Sequence, residues 1–293
     1  MLACIRLHTS GVSATRIHRH PSFRRYIQTA LGEAYLEPVP THPGVTCLAL
    51  NRPQAKNAIS VKLLQEFHEC LETVQFDNSV RVLVVKSSTP GSFCAGADLI
   101  ERRTMSKTQV DKFLLDLRAA LTALENLPCP TIAAIDGPAL GGGLELGLAC
   151  DLRVAGYSVT RIGLPETRLG IIPGAGGTQR LTRLLGLAKA KSLIFTARSL
   201  TASEALDFGV VDYISSADTS ALDKALELAG EIAQNAPLAL RAAKQAISRA
   251  PELSLETGLD FERASYEPLL KTSDRMEALN AFREKRPPVF KGE

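Results

Sequence analysis

A chain of 293 residues, 45% hydrophobic and 22% charged, has the composition of a globular protein, long enough for one large domain or two small ones. Trp is absent and aromatics make up only 5%, which argues against base-stacking or sugar-stacking surfaces, and no apolar run reaches the length that spans a bilayer. Six cysteines (Cys4, Cys47, Cys70, Cys94, Cys129 and Cys150) show no CxxC spacing and read as reduced thiols, not as a zinc site or a disulfide framework.

The formal charge of +3 is unevenly placed. The first 30 residues carry Arg6, Arg16, Arg19, Arg24, Arg25 and three histidines, with no acid before Glu33. Arginine-rich, hydroxyl-rich and acid-free is the composition of a mitochondrial transit peptide. Arg25-Tyr26 resembles the signal before a matrix-peptidase cut, so residues 1–26 are expected to be removed and the protein to reside in the mitochondrial matrix. Without those arginines the remaining chain holds slightly more acids than bases, so net charge makes no case for nucleic acid.

Residues 45–50 predict a strand stopped by Asn51-Arg52-Pro53. After Lys56-Asn57-Ala58, Ser60 can cap a helix with a stripe of Leu63, Leu64, Phe67, Cys70, Leu71 and Val74. Residues 80–85 predict a second strand, followed by the small-residue loop Cys94-Ala95-Gly96-Ala97-Asp98. Ser106 and Gln109 form a capping box ahead of a long amphipathic helix. Residues 131–135 predict a buried strand leading into Gly141-Gly142-Gly143 and then an apolar run with one carboxylate, Glu145, among Leu144, Leu146 and Leu148. Residues 151–155 read as a further strand. Leu164-Pro165-Glu166 and the loop Pro173-Gly174-Ala175-Gly176-Gly177 follow. Thr201 and Glu204 make another capping box, and 210–214 a last strand. From 219 to 286 only helical periodicity is present, with Pro237 suited to a first helical position and Pro251 to a break. Strands alternating with helices predict an α/β core over 27–218 and a helical region over 219–293.

The three small-residue loops fit neither a dinucleotide fingerprint nor a GxxxxGK[ST] phosphate loop. No GxSxG elbow and no metal-spaced cluster occurs, and beyond the first 20 residues the histidines are His42 and His68. What remains is two loops able to offer backbone N–H donors and two glutamates in apolar surroundings, Glu145 and Glu166. Donors plus carboxylates suit proton movement beside a carbonyl whose developing charge is held by N–H groups.

Residues 93–99, 137–151 and 164–181, taken together, resemble the enoyl-CoA hydratase/isomerase (crotonase) superfamily, and the likeness runs from Val45 to the C-terminus. Glu101-Arg102 and the ending Ala281-Phe282-Arg283-Glu284-Lys285-Arg286-Pro287-Pro288 are most similar to its mitochondrial methylglutaconyl-CoA hydratase (AU-binding) group. The resemblance implies a crotonase-like spiral of ββα units, a C-terminal helical trimerisation region, and a homotrimer or homohexamer. It implies an oxyanion hole from the Ala97 and Gly142 N–H groups, with Glu145 activating water and Glu166 delivering a proton. It places Lys56, Ala95, Ala97, Asp98, Leu99, Gly142 and Pro165 at the acyl-CoA substrate, with Phe282 and Lys285 supplied by a neighbouring subunit. No cofactor is implied, coenzyme A being part of the substrate, and no metal. The expected reaction is hydration of a short branched or acidic enoyl-CoA, 3-methylglutaconyl-CoA of leucine degradation before others. The alternatives are a general short-chain hydratase of β-oxidation and a single-acid isomerase. RNA binding is disfavoured, because helix 60–76 holds Lys62 against Glu66, Glu69 and Glu72. Two departures stand out: one extra residue between Glu145 and Glu166, within 156–162, and Ile100 where a lysine often lies near the CoA phosphates. Arg102 or Arg103 is the available substitute.

Overall fold

The computed structural model describes residues 32–293; the predicted transit segment lies outside them. Its main sheet has six strands in the order β1-β2-β3-β4-β6-β8. β1 (Ala34–Pro38) is antiparallel to β2 (Val45–Leu50). From β2 onward, β3 (Val82–Ser87), β4 (Thr131–Ile135), β6 (Leu152–Ala155) and β8 (Tyr213–Ile214) run parallel. β5 (Ala139–Leu140) and β7 (Ile162–Gly163) form a separate two-stranded parallel sheet.

The central strands are apolar without interruption because both faces of the sheet are covered. Leu48, Leu50, Leu83, Val85, Ala133, Ile135 and Ala155 face the larger core. It is built with α1 (Val61–Phe76), α3 (Lys107–Glu125), α4 (Gly142–Leu148), α6 (Leu187–Thr196) and α7 (Ala202–Phe208). The alternate residues Val45, Cys47, Val82, Val84, Ile132, Ala134 and Val154 face α8 (Ala221–Ala233). That helix presents Ala221, Ala225, Ala229 and Ala233, all buried, so its backbone lies close against the sheet.

The predicted caps are present. Ser60 accepts from the Leu63 N–H at 3.0 Å, and full capping boxes open α3 and α7. Three strands are shorter or shifted. Val80 closes the turn after α1 by donating to the Asp77 carbonyl, so β3 starts at Val82. β6 begins at Leu152 because Asp151 turns back to Thr131. Val210 and Val211 donate to the Ala205 carbonyl at 2.7 and 3.2 Å, which leaves only Tyr213 and Ile214 to pair with β6. β1 gives no strong alternation; it is held from outside, the Glu66 carboxylate accepting from the Glu33 and Ala34 N–H groups at 2.6 and 3.1 Å.

Beyond α8 the chain continues as α9 (Pro237–Arg249), α10 (Leu255–Tyr266) and α11 (Ser273–Glu284). Pro237 is at the first position of α9 and Pro251 lies in the short 3-10 turn after it. Lys244 anchors α9 to the core through Asp151 at 2.7 Å and the Cys129 carbonyl at 3.0 Å. Neither α9 nor α10 has a buried residue, and Ile247, Leu255, Leu259, Leu279 and Phe282 are exposed. Among the described residues no helix is long and apolar enough to cross a membrane.

Candidate active site

Two backbone segments meet where β5 begins. Cys94 and Ala139 form a parallel bridge, as do Ile59 and Ala97. In the second bridge Ile59 uses the Gly96 carbonyl (2.7 Å) and the Asp98 N–H (3.0 Å). A parallel bridge skips the residue between, so the Ala97 N–H has no acceptor among the described residues. Gly142 is the first residue of α4, and its N–H is likewise unpaired, as the first donors of any helix are. A Cβ on Gly142 would lie 3.4 Å from the Ala97 nitrogen, so the two donors sit side by side.

That approach requires two glycines. Gly96 has φ +91° and a Cβ there would stand 2.7 Å from the Leu140 carbonyl oxygen. A Cβ on Gly143 would fall 2.1 Å from the Cys94 carbonyl oxygen, inside any permitted contact. Burial pushes the Cys94 thiol up to about 12, and its Sγ lies 3.0 Å from the Asn57 carbonyl, so it is a packed, protonated group.

Glu145 is one turn into α4 and 2% exposed. Its Oε1 accepts from the Ala175 N–H at 2.8 Å and the Gly177 N–H at 2.7 Å. Burial raises its pKa above the ordinary range, while those two N–H groups and Arg180 pull the other way. Glu166 opens a 3-10 turn after Pro165, is 8% exposed, and its Oε2 is buried with no hydrogen-bond partner among the described residues. Burial raises its pKa to about 7; its backbone N–H lowers it and the neighbouring charge of Glu145 adds to the rise. Both carboxylates line one cavity of about 530 Å³ together with Ala95, Ala97, Leu99, Gly142 and Pro165. Between the two carboxylates the chain turns at 156–160, where the Val159 N–H donates to the Gly156 carbonyl and Tyr157 is exposed.

Several predicted site residues lie elsewhere. Asp98 is buried and does not line the cavity. Its carboxylate caps α2 (Leu99–Arg102), accepting from the Ile100 and Glu101 N–H groups, and pairs with Arg52 at 2.7 Å. Burial opposes ionisation there, but these partners hold its pKa below the ordinary value. Lys56 is exposed at the end of the Pro53–Ala55 turn; its carbonyl accepts from Ala95 and so supports the donor loop. Phe282, 87% exposed, and Lys285, both expected to serve a neighbouring subunit's site, stand at the end of α11 outside this chain's own cavity. Ile100 is exposed as well.

Sequence reasoning missed Asn57 and Arg180. Asn57 is fully buried at φ +55° and uses all four amide hydrogen-bonding positions. Its Nδ2 donates to Ser87 Oγ (2.7 Å) and the Phe93 carbonyl (2.9 Å), and its Oδ1 accepts from the Arg52 N–H and Thr89 Oγ1, both at 2.8 Å. An Asn directly after a strand stop and a Pro turn is the local signal for a left-handed residue. Arg180 donates to the Ala175 carbonyl at 2.9 Å and to Glu125 at 2.7 and 3.1 Å, fixing the loop that holds Glu145.

Comparison with known proteins points the same way. The family model described as enoyl-CoA hydratase/isomerase matches residues 41–293. The chain is 52% identical to an enoyl-CoA isomerase/hydratase, fer4, of Mycosarcoma maydis, over 90% of this chain and 99% of that protein. It is 48% identical to the mitochondrial methylglutaconyl-CoA hydratase of Rattus norvegicus, over 85% of this chain and 80% of that protein. The crystal structure of an enoyl-CoA hydratase from Bacillus anthracis superimposes with a TM-score of 0.86 at 44% identity, covering 89% of this chain and 100% of that one.

Proposed function

Because the chain belongs to the enoyl-CoA hydratase/isomerase family, we propose that it adds water across the α,β double bond of a short enoyl-CoA, with 3-methylglutaconyl-CoA its preferred substrate. The observation that carries this reading is the pair Glu145 and Glu166 lining the cavity where the Ala97 and Gly142 N–H groups are unpaired. In the reaction the thioester oxygen takes those two N–H bonds, which stabilise the enolate that forms. Glu145 accepts a proton from water as the water oxygen bonds to the β-carbon. The π-bond electrons pass to the α-carbon, which receives the proton of Glu166; loss of the water-derived proton from Glu145 and reprotonation of Glu166 then restore the pair. A carboxyl with a pKa raised to about 7 is about half protonated at neutral pH, so it can donate as this role requires. The two sites titrate as a coupled pair.

Support for the substrate comes from relatives named methylglutaconyl-CoA hydratase in rat, mouse and human, each 48% identical. The acid-free, arginine-rich N-terminus and the mitochondrial relatives support a matrix location. The exposed apolar residues of α9 to α11 support a trimer-based oligomer in which Phe282 and Lys285 reach a neighbour's substrate. The deciding experiment is a hydration assay of the purified protein on a panel of α,β- and β,γ-enoyl-CoA thioesters. Hydration of the α,β-compounds, fastest with 3-methylglutaconyl-CoA, is expected. Double-bond migration without hydration would replace this reading by a single-acid isomerase.

A further inference from the structure

Arg102 is the one cation among the residues lining the catalytic cavity; Glu145 and Glu166 are the other ionisable ones. It is half-buried, and its guanidinium makes no hydrogen bond or ion pair with any described residue. Arg52, bound to the Asp98 that caps the same helix, is by contrast paired, and so is Arg180 behind the Glu145 loop, with Glu125. Arg102 is nonetheless well placed. It ends α2, which Asp98 caps, and its own N–H donates to the Asp98 carbonyl at 2.9 Å. The rest of the cavity lining is mostly apolar, with Leu99, Leu114, Leu117, Leu169, Ile171 and Ile172 among it.

An anionic acyl group entering this cavity would meet the charge of Glu145 and, above neutral pH, of Glu166. A cation lining the same cavity offsets that repulsion, and a guanidinium offers a fork that matches a carboxylate in two parallel hydrogen bonds. We infer that Arg102 is the residue that selects acyl chains ending in a carboxylate, by pairing with that carboxylate when the thioester lies on Ala97 and Gly142. This rests on the hydratase reading and adds to it the source of its substrate preference. The other anion available to Arg102 is a phosphate of coenzyme A, and the test separates the two.

The test compares matched thioesters that differ by the carboxylate: glutaconyl-CoA against crotonyl-CoA, and 3-methylglutaconyl-CoA against 3-methylcrotonyl-CoA. The readout is the ratio of kcat/KM within each pair, for the wild type, Arg102→Met and Arg102→Lys. A hydrogen-bonded charge pair of this kind corresponds to roughly 10- to 100-fold in that ratio. Arg102→Met is expected to lower both ratios at least tenfold, and Arg102→Lys, which keeps the charge without the fork, to lower them less. A ratio that moves less than tenfold in Arg102→Met overturns the inference. If both members of a pair lose activity in parallel and CoA itself binds more weakly, the cation serves the phosphates and the inference is equally wrong. Hydration by the wild type is the control: failure to hydrate any of the four thioesters would sink the hydratase reading itself, whereas hydration with an unmoved ratio would sink only the role of Arg102.

Discussion

Glu145 and Glu166 line the same cavity under opposite constraints. One oxygen of Glu145 is fixed by two backbone N–H groups, whereas Glu166 has a buried oxygen with no partner among the described residues. The first arrangement orients a carboxylate without neutralising it; the second favours a protonated acid. Glu145→Gln and Glu166→Gln should therefore each lower kcat by about 10²–10⁴-fold, or about 3–5 kcal/mol of barrier, with CoA affinity retained. The double variant should be little worse than the worse single one, because both groups serve one water. Steady-state kinetics checks this, with thermal melting to show that the fold persists. If Glu166→Gln keeps near-normal hydration, the two-carboxylate mechanism fails.

The same asymmetry sets a pH dependence. Glu166 titrates at about 7 in the folded protein against an ordinary 4.5. Its proton is bound more tightly in the folded state, so the fold is favoured below pH 4.5 and progressively penalised as pH rises to 7. Removing the ionisable group lifts that penalty. Glu166→Gln should be more stable than the wild type by about 1–3 kcal/mol at pH 8, with the difference vanishing at pH 4. Urea unfolding at the two pH values measures it. In the wild type kcat should fall as pH rises through 7, the acid being lost; a rate that stays flat to pH 9 would contradict the assignment.

How much of this was legible in the chain follows from range. β2 and β4 match their predicted bounds, because continuous apolar runs between turn residues are local signals. The caps of α1, α3 and α7 are equally local. β5 and β7 are two residues each and exist only through each other, so no window of sequence reveals them. Glu145 and Glu166 stood out as carboxylates in apolar surroundings, and their meeting in one cavity is a product of the fold. Asp98, predicted at the substrate, is used by the fold itself: its partner Arg52 is 46 residues away, and no local pattern announces that pair. Arg180 and Glu125 are 55 residues apart and were missed for the same reason.

Arg180 touches the Ala175 carbonyl, and Ala175 touches Glu145, so it acts through the loop. Arg180→Gln should lower kcat with little change in KM, by about tenfold or more, since small misplacements of a catalytic group are costly. It should also move the acid limb of the pH–rate profile upward. The arginine charge lowers the Glu145 pKa, and removing it lets burial raise that pKa further. Glu125→Gln, which leaves an acceptor for the guanidinium, should do less. A change confined to thermal stability, with the pH profile unmoved, would reduce Arg180 to a structural role.

Asn57 carries the donor loop. Its amide joins Arg52 at the end of β2, Ser87 and Thr89 at the end of β3, and the Phe93 carbonyl just before Cys94. Its carbonyl is met by the Cys94 thiol, and the adjacent Lys56 carbonyl receives the Ala95 N–H. The unpaired Ala97 N–H thus hangs from a chain of bonds that starts at one buried side chain. Asn57→Ala would strip partners from buried and half-buried groups and leave alanine at φ +55°, a conformation unfavourable for it. The expected cost is about 2–4 kcal/mol of stability. Turnover should fall in the molecules that remain folded, because the Ala97 donor loses its support. Asn57→Asp keeps the size and the tolerance of left-handed backbone but puts a carboxylate oxygen opposite the Phe93 carbonyl and the Ser87 hydroxyl. It should be destabilised chiefly above the pKa of the buried acid and recover as pH falls. Chemical denaturation of both variants across pH, with kcat measured at a temperature well below each midpoint, tests the chain of bonds. Full activity in folded Asn57→Ala would show that the donor loop stands without it.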